Sequence, residues 1–268
     1  IIHLTFDIQK GNQVYFEKIM AKGNDKTRDK VIRRELRIYE GELYSASGLQ
    51  ESKRRINALG FFESVDIITE PGSSSDKIIA IVKVKERSTG AFQIGFGFSS
   101  VENIIGQAQI SQHNLLGRGQ TLSLTAQISN LRQFFDLHFT EPYLLDTDWS
   151  FTMDLFNIMH VYEDYVRNSL GGSFGFGYPF WDDWRIYLTY TIEEISVNAG
   201  QFGRSGRRIK NLFTDGRTSS LTGSLSWDTR DNRLFPSKGH HYIVSMEWAD
   251  NLLASENIFT RLNCITRW

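Results

Sequence analysis

The chain has 268 residues and a formal net charge of −1, so it carries no global basic field that would recruit nucleic acid. Its single cysteine, Cys264, excludes an intramolecular disulfide, and no run approaches the ~18–20 consecutive apolar residues of a membrane-spanning helix. Aromatics at 13% with 22 glycines and 4 prolines fit a β-rich chain, and a β-barrel in a membrane stays open because only alternate residues of its strands need be apolar.

Residues 1–10 lack the basic-then-apolar pattern of a signal peptide, so either the protein is cytosolic or its leader lies outside this stretch. Ile2, Leu4, Phe6 and Ile8 alternate with polar neighbours, the period of a half-buried strand. Gly11-Asn12 reads as a turn, and a second extended segment runs over 13–21 until Gly23-Asn24 breaks it. The pattern then predicts a helix over 27–38, with Thr27 as its N-cap and Val31, Ile32 and Leu36 on the core side. A second helix is expected over 47–59, with Ser47 and Gln50 at capping-box spacing, Leu49, Ile56 and Leu59 as its stripe, and Gly60 at the C-cap. Two strands follow, over 62–69 and 77–85. Read from Gln13, the order is strand, helix, helix, strand, strand, an α+β domain near the lower size limit for independent folding. The strand over 2–8 is surplus to that unit.

From Gly90 onward no helix is expected, and about ten segments alternate with period two. Phe92, Ile94, Phe96 and Phe98 oppose Gln93, Gly95 and Gly97. Gly106, Ala108 and Ile110 form a weaker run. Leu122, Leu124, Ala126 and Ile128 are followed by Phe135, Leu137 and Phe139, then by Trp149, Phe151, Met153 and Leu155. The series continues through Phe174/Phe176/Tyr178, Ile186/Leu188/Tyr190/Ile192, Leu221/Leu225/Trp227 and Tyr242/Val244/Met246/Trp248, with a tenth strand starting near Asn257. Turn residues separate the runs, each about the ~9–11 residues that cross a bilayer at a tilt.

A soluble sandwich produces the same alternation in any single segment. Three features favour the membrane. An uninterrupted meander must close or leave edges exposed. The polar faces are rich in Ser, Thr, Gln and Gly, like a wet lumen. Large aromatics recur near strand ends, at Trp149, Tyr178, Phe180, Trp181, Trp184, Trp227 and Trp248, where interfacial girdles lie.

The first half resembles a POTRA (polypeptide-transport-associated) domain through Gly23-Asn24, Ile32-Arg33-Arg34-Glu35-Leu36, Gly41-Glu42, Leu49, Arg54-Arg55, Leu59-Gly60-Phe61-Phe62, Val65 and Val82-Lys83-Val84-Lys85-Glu86. The junction from Lys85 to Phe92 resembles the passage from such a domain into the barrel of the outer-membrane barrel-assembly family. Asn114-Leu115-Leu116-Gly117-Arg118-Gly119, Glu141-Pro142-Tyr143 and the stretch from Asp228 to Gly239 are similar to that family's inter-strand turns. The resemblance implies an α+β POTRA domain over 11–88, preceded over 1–10 by the last strand of another POTRA domain. Over 89–268 it implies the N-terminal part of an antiparallel up-and-down transmembrane β-barrel. Ten strands fit here where the family has sixteen, and the family's inward-folded Val-Arg-Gly-Phe loop tip is absent, so the chain is expected to stop in mid-barrel.

What the resemblance implies for function follows from that frame. With the POTRA domain in the periplasm, parity turns 114–119, 141–148, 178–183 and 228–239 toward the periplasm and the segment 198–217 outward. Unfolded outer-membrane proteins would dock by strand addition on the edge strand Phe62, Glu63, Ser64, Val65, Asp66, Ile67, Ile68 and Thr69. The first barrel strand, Gly90, Ala91, Phe92, Gln93, Ile94, Gly95, Phe96, Gly97 and Phe98, would form one side of a lateral seam, weakened by glycine or merely relieved of crowding by it. The implied partners are unfolded outer-membrane proteins, accessory lipoproteins of the assembly complex, and outer-membrane lipid and lipopolysaccharide. Arg204, Arg207, Arg208 and Lys210 could meet lipopolysaccharide, although a solvated loop is the simpler reading.

The implied localisation is the bacterial outer membrane, and neither enzyme activity nor a cofactor, metal or nucleic acid is expected. His240-His241 would point to opposite faces of a strand. Asp228, Asp231 and Asn232 lack EF-hand spacing, and Gly171-Gly172 and Gly200/Gly203 lack the strand–glycine–helix context of phosphate binding. Cys264 reads as a small lipid-facing or packed residue. A secretion transporter exporting one partner through its own pore remains an alternative. So does a passive porin or surface receptor, which needs no POTRA domain.

Overall fold

The computed structural model describes residues 13–163, 165–199, 215–231 and 236–267, which fall into two compact units. The first comprises the residues up to Thr89 together with the turn Asn114–Gly119, and the second holds the rest. The strand expected over residues 2–8 lies outside the described residues.

In the first unit, β1 (Tyr15–Lys22), α1 (Asp29–Arg33), α2 (Ala46–Ala58), β2 (Phe62–Pro71) and β3 (Lys77–Glu86) follow in order. The sheet runs β1-β3-β2, with β3 central, parallel to β1 and antiparallel to β2. Alternation places Ile78, Ala80, Val82 and Val84 on the face that meets the helices, and these pack with Phe16, Ile19, Val31, Ile32, Leu36, Ile38, Ile56 and Val65. On α2, Leu49 and Ile56 flank Ser52, which is fully buried. The Ser52 hydroxyl donates to the Gly48 carbonyl at 2.7 Å and accepts from the Arg37 amide at 2.7 Å, so its burial leaves no polar atom unpaired.

Both helix starts differ from the expected ones. The first helix is a short piece, because Leu36 and Ile38 are spaced by two and both bury. A continuing helix would send residues two apart to different sides. Thr27 is not its cap; it is buried, and its role lies elsewhere. The second helix is capped by Ser45, which has extended backbone and accepts from the Gly48 amide at 3.0 Å, while Ser47 bonds the Ser45 hydroxyl. Gly60 terminates it at φ +74°, donating to the Asn57 carbonyl, as glycine at a C-cap can at no steric cost.

The second unit is a sheet of ten strands, each antiparallel to its sequence neighbours wherever the register is described: β4 (Gly90–Ser99), β5 (Asn103–Leu115), β6 (Gln120–Ile128), β7 (Arg132–Glu141), β8 (Ser150–Val161), β9 (Tyr165–Trp181), β10 (Trp184–Ala199), β11 (Gly216–Asp228), β12 (His241–Ala249) and β13 (Phe259–Arg267). The register aligns like with like. Leu122, Phe139, Met153, Phe174, Tyr190, Leu221 and Trp248 form one cross-strand row, and His138, Asp154, Ser173, Thr191 and Ser220 form a row on the opposite face. A one-residue slip would mix the two faces along the whole strand. The apolar rows are uncovered: Leu124, Phe135, Leu155, Phe174, Leu188, Val244 and Leu262 are all exposed. Toward one end, Trp184 stacks on Trp227 at 5.2 Å and 6°, Trp227 on Tyr242 at 5.6 Å, and Trp149 lies 4.9 Å from Tyr178. Among the described residues no helix is long and apolar enough to cross a membrane.

Candidate functional site

The order β1-β3-β2 leaves two outer strands on the first unit's sheet, and they are treated differently. The segment after α1 closes the outer side of β1. The Phe16 amide donates to the Glu42 carbonyl at 2.9 Å, the Gly41 amide to the Phe16 carbonyl at 2.7 Å, and the Tyr44 amide to the Val14 carbonyl at 2.7 Å. Two side chains finish the seal: Glu40 accepts from the Ile19 amide at 2.9 Å, and Arg33 donates to the Ile19 carbonyl at 2.7 Å. The Ile19 amide holds the Glu40 carboxyl below its ordinary range.

Among the described residues no segment beyond β3 bonds to the backbone of β2. An edge of unpaired N–H and C=O groups is a template for another strand. Phe62 and Val65 are buried toward the helices, Ile67 and Ile68 are half-buried, and Glu63, Ser64, Asp66 and Thr69 are exposed. Asp66 pairs with Lys53 and Glu63 with Lys85, each at 2.8 Å.

In the second unit β4 is an outer strand, bonded to β5. All residues from Gly90 to Phe98 are exposed, Phe96 at 83%. A Cβ added at Gly95 or Gly97 would meet nothing within 4 Å. Among the described residues these glycines relieve no crowding.

The remaining sequence candidates resolve into local structure. Asp228 holds Arg230 through a two-pronged pair at 2.7 and 2.8 Å. Asp231 accepts from the Ser237 and Lys238 amides at 3.0 and 3.1 Å and shapes a turn. His241 meets Ser226 at 3.2 Å, whereas the His240 ring packs against Trp227 and Tyr242. Cys264 is exposed opposite Val244 in the apolar rows. Gly171 and Gly172 lie within β9. Asn232, Arg204, Arg207, Arg208, Lys210, Gly200 and Gly203 lie outside the described residues.

One feature escaped the sequence reading. On the polar face, His138 joins Asp154 and Thr140, and Ser173 donates to the other oxygen of Asp154 at 2.9 Å. Its only signal was the shared period-two phase of those residues, and the cross-strand register is what assembles them.

A family model described as the Omp85 superfamily domain matches residues 114–268, more than half of the chain. The chain belongs to the Omp85 superfamily. In this Omp85 chain a second model, POTRA (surface antigen variable number repeat), matches residues 14–87. The protein named outer membrane protein assembly factor BamA from Nitratidesulfovibrio vulgaris is 29% identical over 97% of this chain, and its namesake from Neisseria meningitidis is 28% identical over 92%. The chain spans about a third of the length of each, 33%. Among solved structures, BamA from Haemophilus ducreyi lacking POTRA domains 1–3 is similar with a TM-score of 0.75 and 25% identity, covering 95% of this chain and 51% of that one. CdiB from Acinetobacter baumannii, at a TM-score of 0.62 and 10% identity over 95% of this chain and 48% of that one, shares the fold alone.

Proposed function

We propose that this chain is part of an outer-membrane protein assembly factor, with its POTRA domain in the periplasm. In this reading the domain docks unfolded barrel proteins on the outer edge of β2, and the barrel inserts them into the membrane beside β4. The observation that carries the reading is the contrast between the two outer strands of the first sheet. β1 is closed by three backbone bonds and two side chains, whereas β2 meets no further segment among the described residues. Recognition by main-chain hydrogen bonds is tolerant of sequence, which suits a factor with many clients. The glycines of β4 support the second step, since a strand with little cross-strand packing costs less to part from its neighbour. The apolar rows of the second unit face lipid, and the clustered tryptophans and tyrosines mark an interface. No covalent chemistry enters; accessory lipoproteins and lipopolysaccharide complete the surroundings that this reading expects.

Depletion of the full-length parent tests the function. The folded fraction of several unrelated outer-membrane proteins, followed by heat-modifiable gel mobility, should fall together before growth stops. Accumulation of a single secreted partner in the periplasm would instead make the parent a dedicated transporter. A photo-crosslinking residue at Asp66 or Thr69 should capture nascent clients while one at Lys18 captures none, and equal capture at both would remove β2 as the docking edge.

A further inference from the structure

The turn between β5 and β6 belongs to the first compact unit. Its backbone is held in an uncommon form. Asn114, Leu116, Gly117 and Gly119 all have positive φ, at 56°, 51°, 70° and 78°, within six residues. Glycine and asparagine enter left-handed backbone readily but leucine does not, and Leu116 is 75% exposed with no burial of its own to hold it there. Bonds within the turn, such as that from the Gly117 amide to the Asn114 carbonyl at 3.0 Å, are joined by support from outside it.

That support comes from the segment leading into α1. The Asn114 side chain is 8% exposed; its Nδ2 donates to Thr27 Oγ1 at 2.8 Å while its Oδ1 accepts from the Gly119 amide at 2.8 Å. The Arg28 amide donates to the Gly117 carbonyl at 2.9 Å. Thr27, only 2% exposed, is held from the other side, since its amide and that of Lys26 donate to the two carboxylate oxygens of Glu86 at 2.6 and 3.0 Å, and its carbonyl accepts from Asn24 at 3.0 Å. The approach leaves no room for a side chain: a Cβ on Gly117 would lie 1.9 Å from the Lys26 carbonyl oxygen. Two backbones in van der Waals contact, joined by buried and mutually satisfied polar groups, have the character of a domain interior rather than of a chance surface touch.

We propose that the Asn114–Gly119 turn is a permanent structural member of the POTRA domain, a socketed joint held by the segment that leads into α1. The functional consequence rests on the reading of that domain given under Proposed function. Glu86, Thr27 and Asn114 form the continuous hydrogen-bonded path of the joint, and Gly117 sets its distance of approach.

The test uses the full-length parent reconstituted in phospholipid vesicles. Gly117→Val should raise amide exchange at Thr27 and Arg28 at least tenfold and slow client folding several-fold, while the parent's own barrel keeps its heat-modifiable mobility. Loss of the parent's own folded form would show that the turn serves only the barrel, and unchanged exchange at Thr27 and Arg28 would show that there is no joint; either result overturns the proposal. A second variant asks whether the joint must open. Thr27→Cys with Asn114→Cys, on a Cys264→Ser background, should cross-link under oxidant and then fold clients at the wild-type rate. A cross-linked parent that stalls would make the contact a releasable one and overturn permanence. If the wild-type parent itself fails to accelerate client folding, the assembly reading falls, and the joint is judged by exchange and cross-link yield alone.

Discussion

The two units use the same residue types in the same period-two pattern and do opposite things with them. In β3, Ala80 and Val82 are fully buried beneath two helices. In β8 and β10, Leu155 and Leu188 stand 45% and 49% exposed although their alternation is as regular. Alternation thus reports that a strand has one apolar face, and says nothing about what covers it. In the first unit α1 and α2 supply the cover. Among the described residues of the second unit no α-helix does so, and in the function proposed above lipid takes its place.

Substitutions on the two faces can break this contrast. The largest effect is expected from Ile56→Ala on α2, which removes a fully buried side chain between helix and sheet. It should cost about 2–5 kcal/mol and raise the exchange of the slowest β3 amides in proportion. A loss below about 1 kcal/mol would mean that the helices do not hold the core of this unit. Next comes Leu155→Arg, in a row with Leu124 and Leu137. Facing lipid, it should cost about 2–4 kcal/mol in urea unfolding from vesicles, while Thr152→Arg on the polar face of the same strand should be close to neutral. The reverse order would assign lipid to the wrong face.

How much of this was legible beforehand depended on whether the deciding contact was local. Ten strands, their faces and the order of the first unit followed from spacing alone, because side-chain direction in a strand has a strict period of two. Gly60 is legible as a cap because a helix end at glycine is also decided locally. The seal on β1 was not: residues 39–44 show no periodicity, and Glu40 and Gly41 act through bonds to Phe16 and Ile19 more than twenty positions away. The length of α1 is not legible, since Leu36 and Ile38 fit a helical stripe only if tertiary burial is ignored. Ser45 and Ser47 are chemically equal candidates, and only the extended backbone at Ser45 decides between them. Asn114 and Gly117 were recognisable as turn residues, but their partner Thr27 lies 87 positions from Asn114 and was read as a helix cap.

The smallest effect sharpens the contrast through pH. Burial opposes the charge on Glu86, but the hydrogen bonds from Thr27 and the Lys26 amide outweigh it and leave the carboxyl below its ordinary range. A carboxyl with a depressed folded value contributes stability that is present above its unfolded pKa, near ~4.3, and is lost as pH falls through the folded value. Protection of the amides at Lys26 and Thr27 should therefore fall below about pH 4 in the wild type. Glu86→Gln removes a charge-assisted acceptor at a half-exposed position, which is expected to cost on the order of 1 kcal/mol at neutral pH and to flatten that titration. The carboxylates of the second unit, such as Asp228 paired with Arg230 and Asp154 bonded by Ser173, sit in different surroundings, so unfolding of the barrel should not follow the same curve. A parallel titration of both units would show that one event, and not a local carboxylate, governs the two. An unaltered profile in Glu86→Gln would instead place the acid sensitivity of the first unit in another carboxylate, with Glu40, held by the Ile19 amide, the next to test.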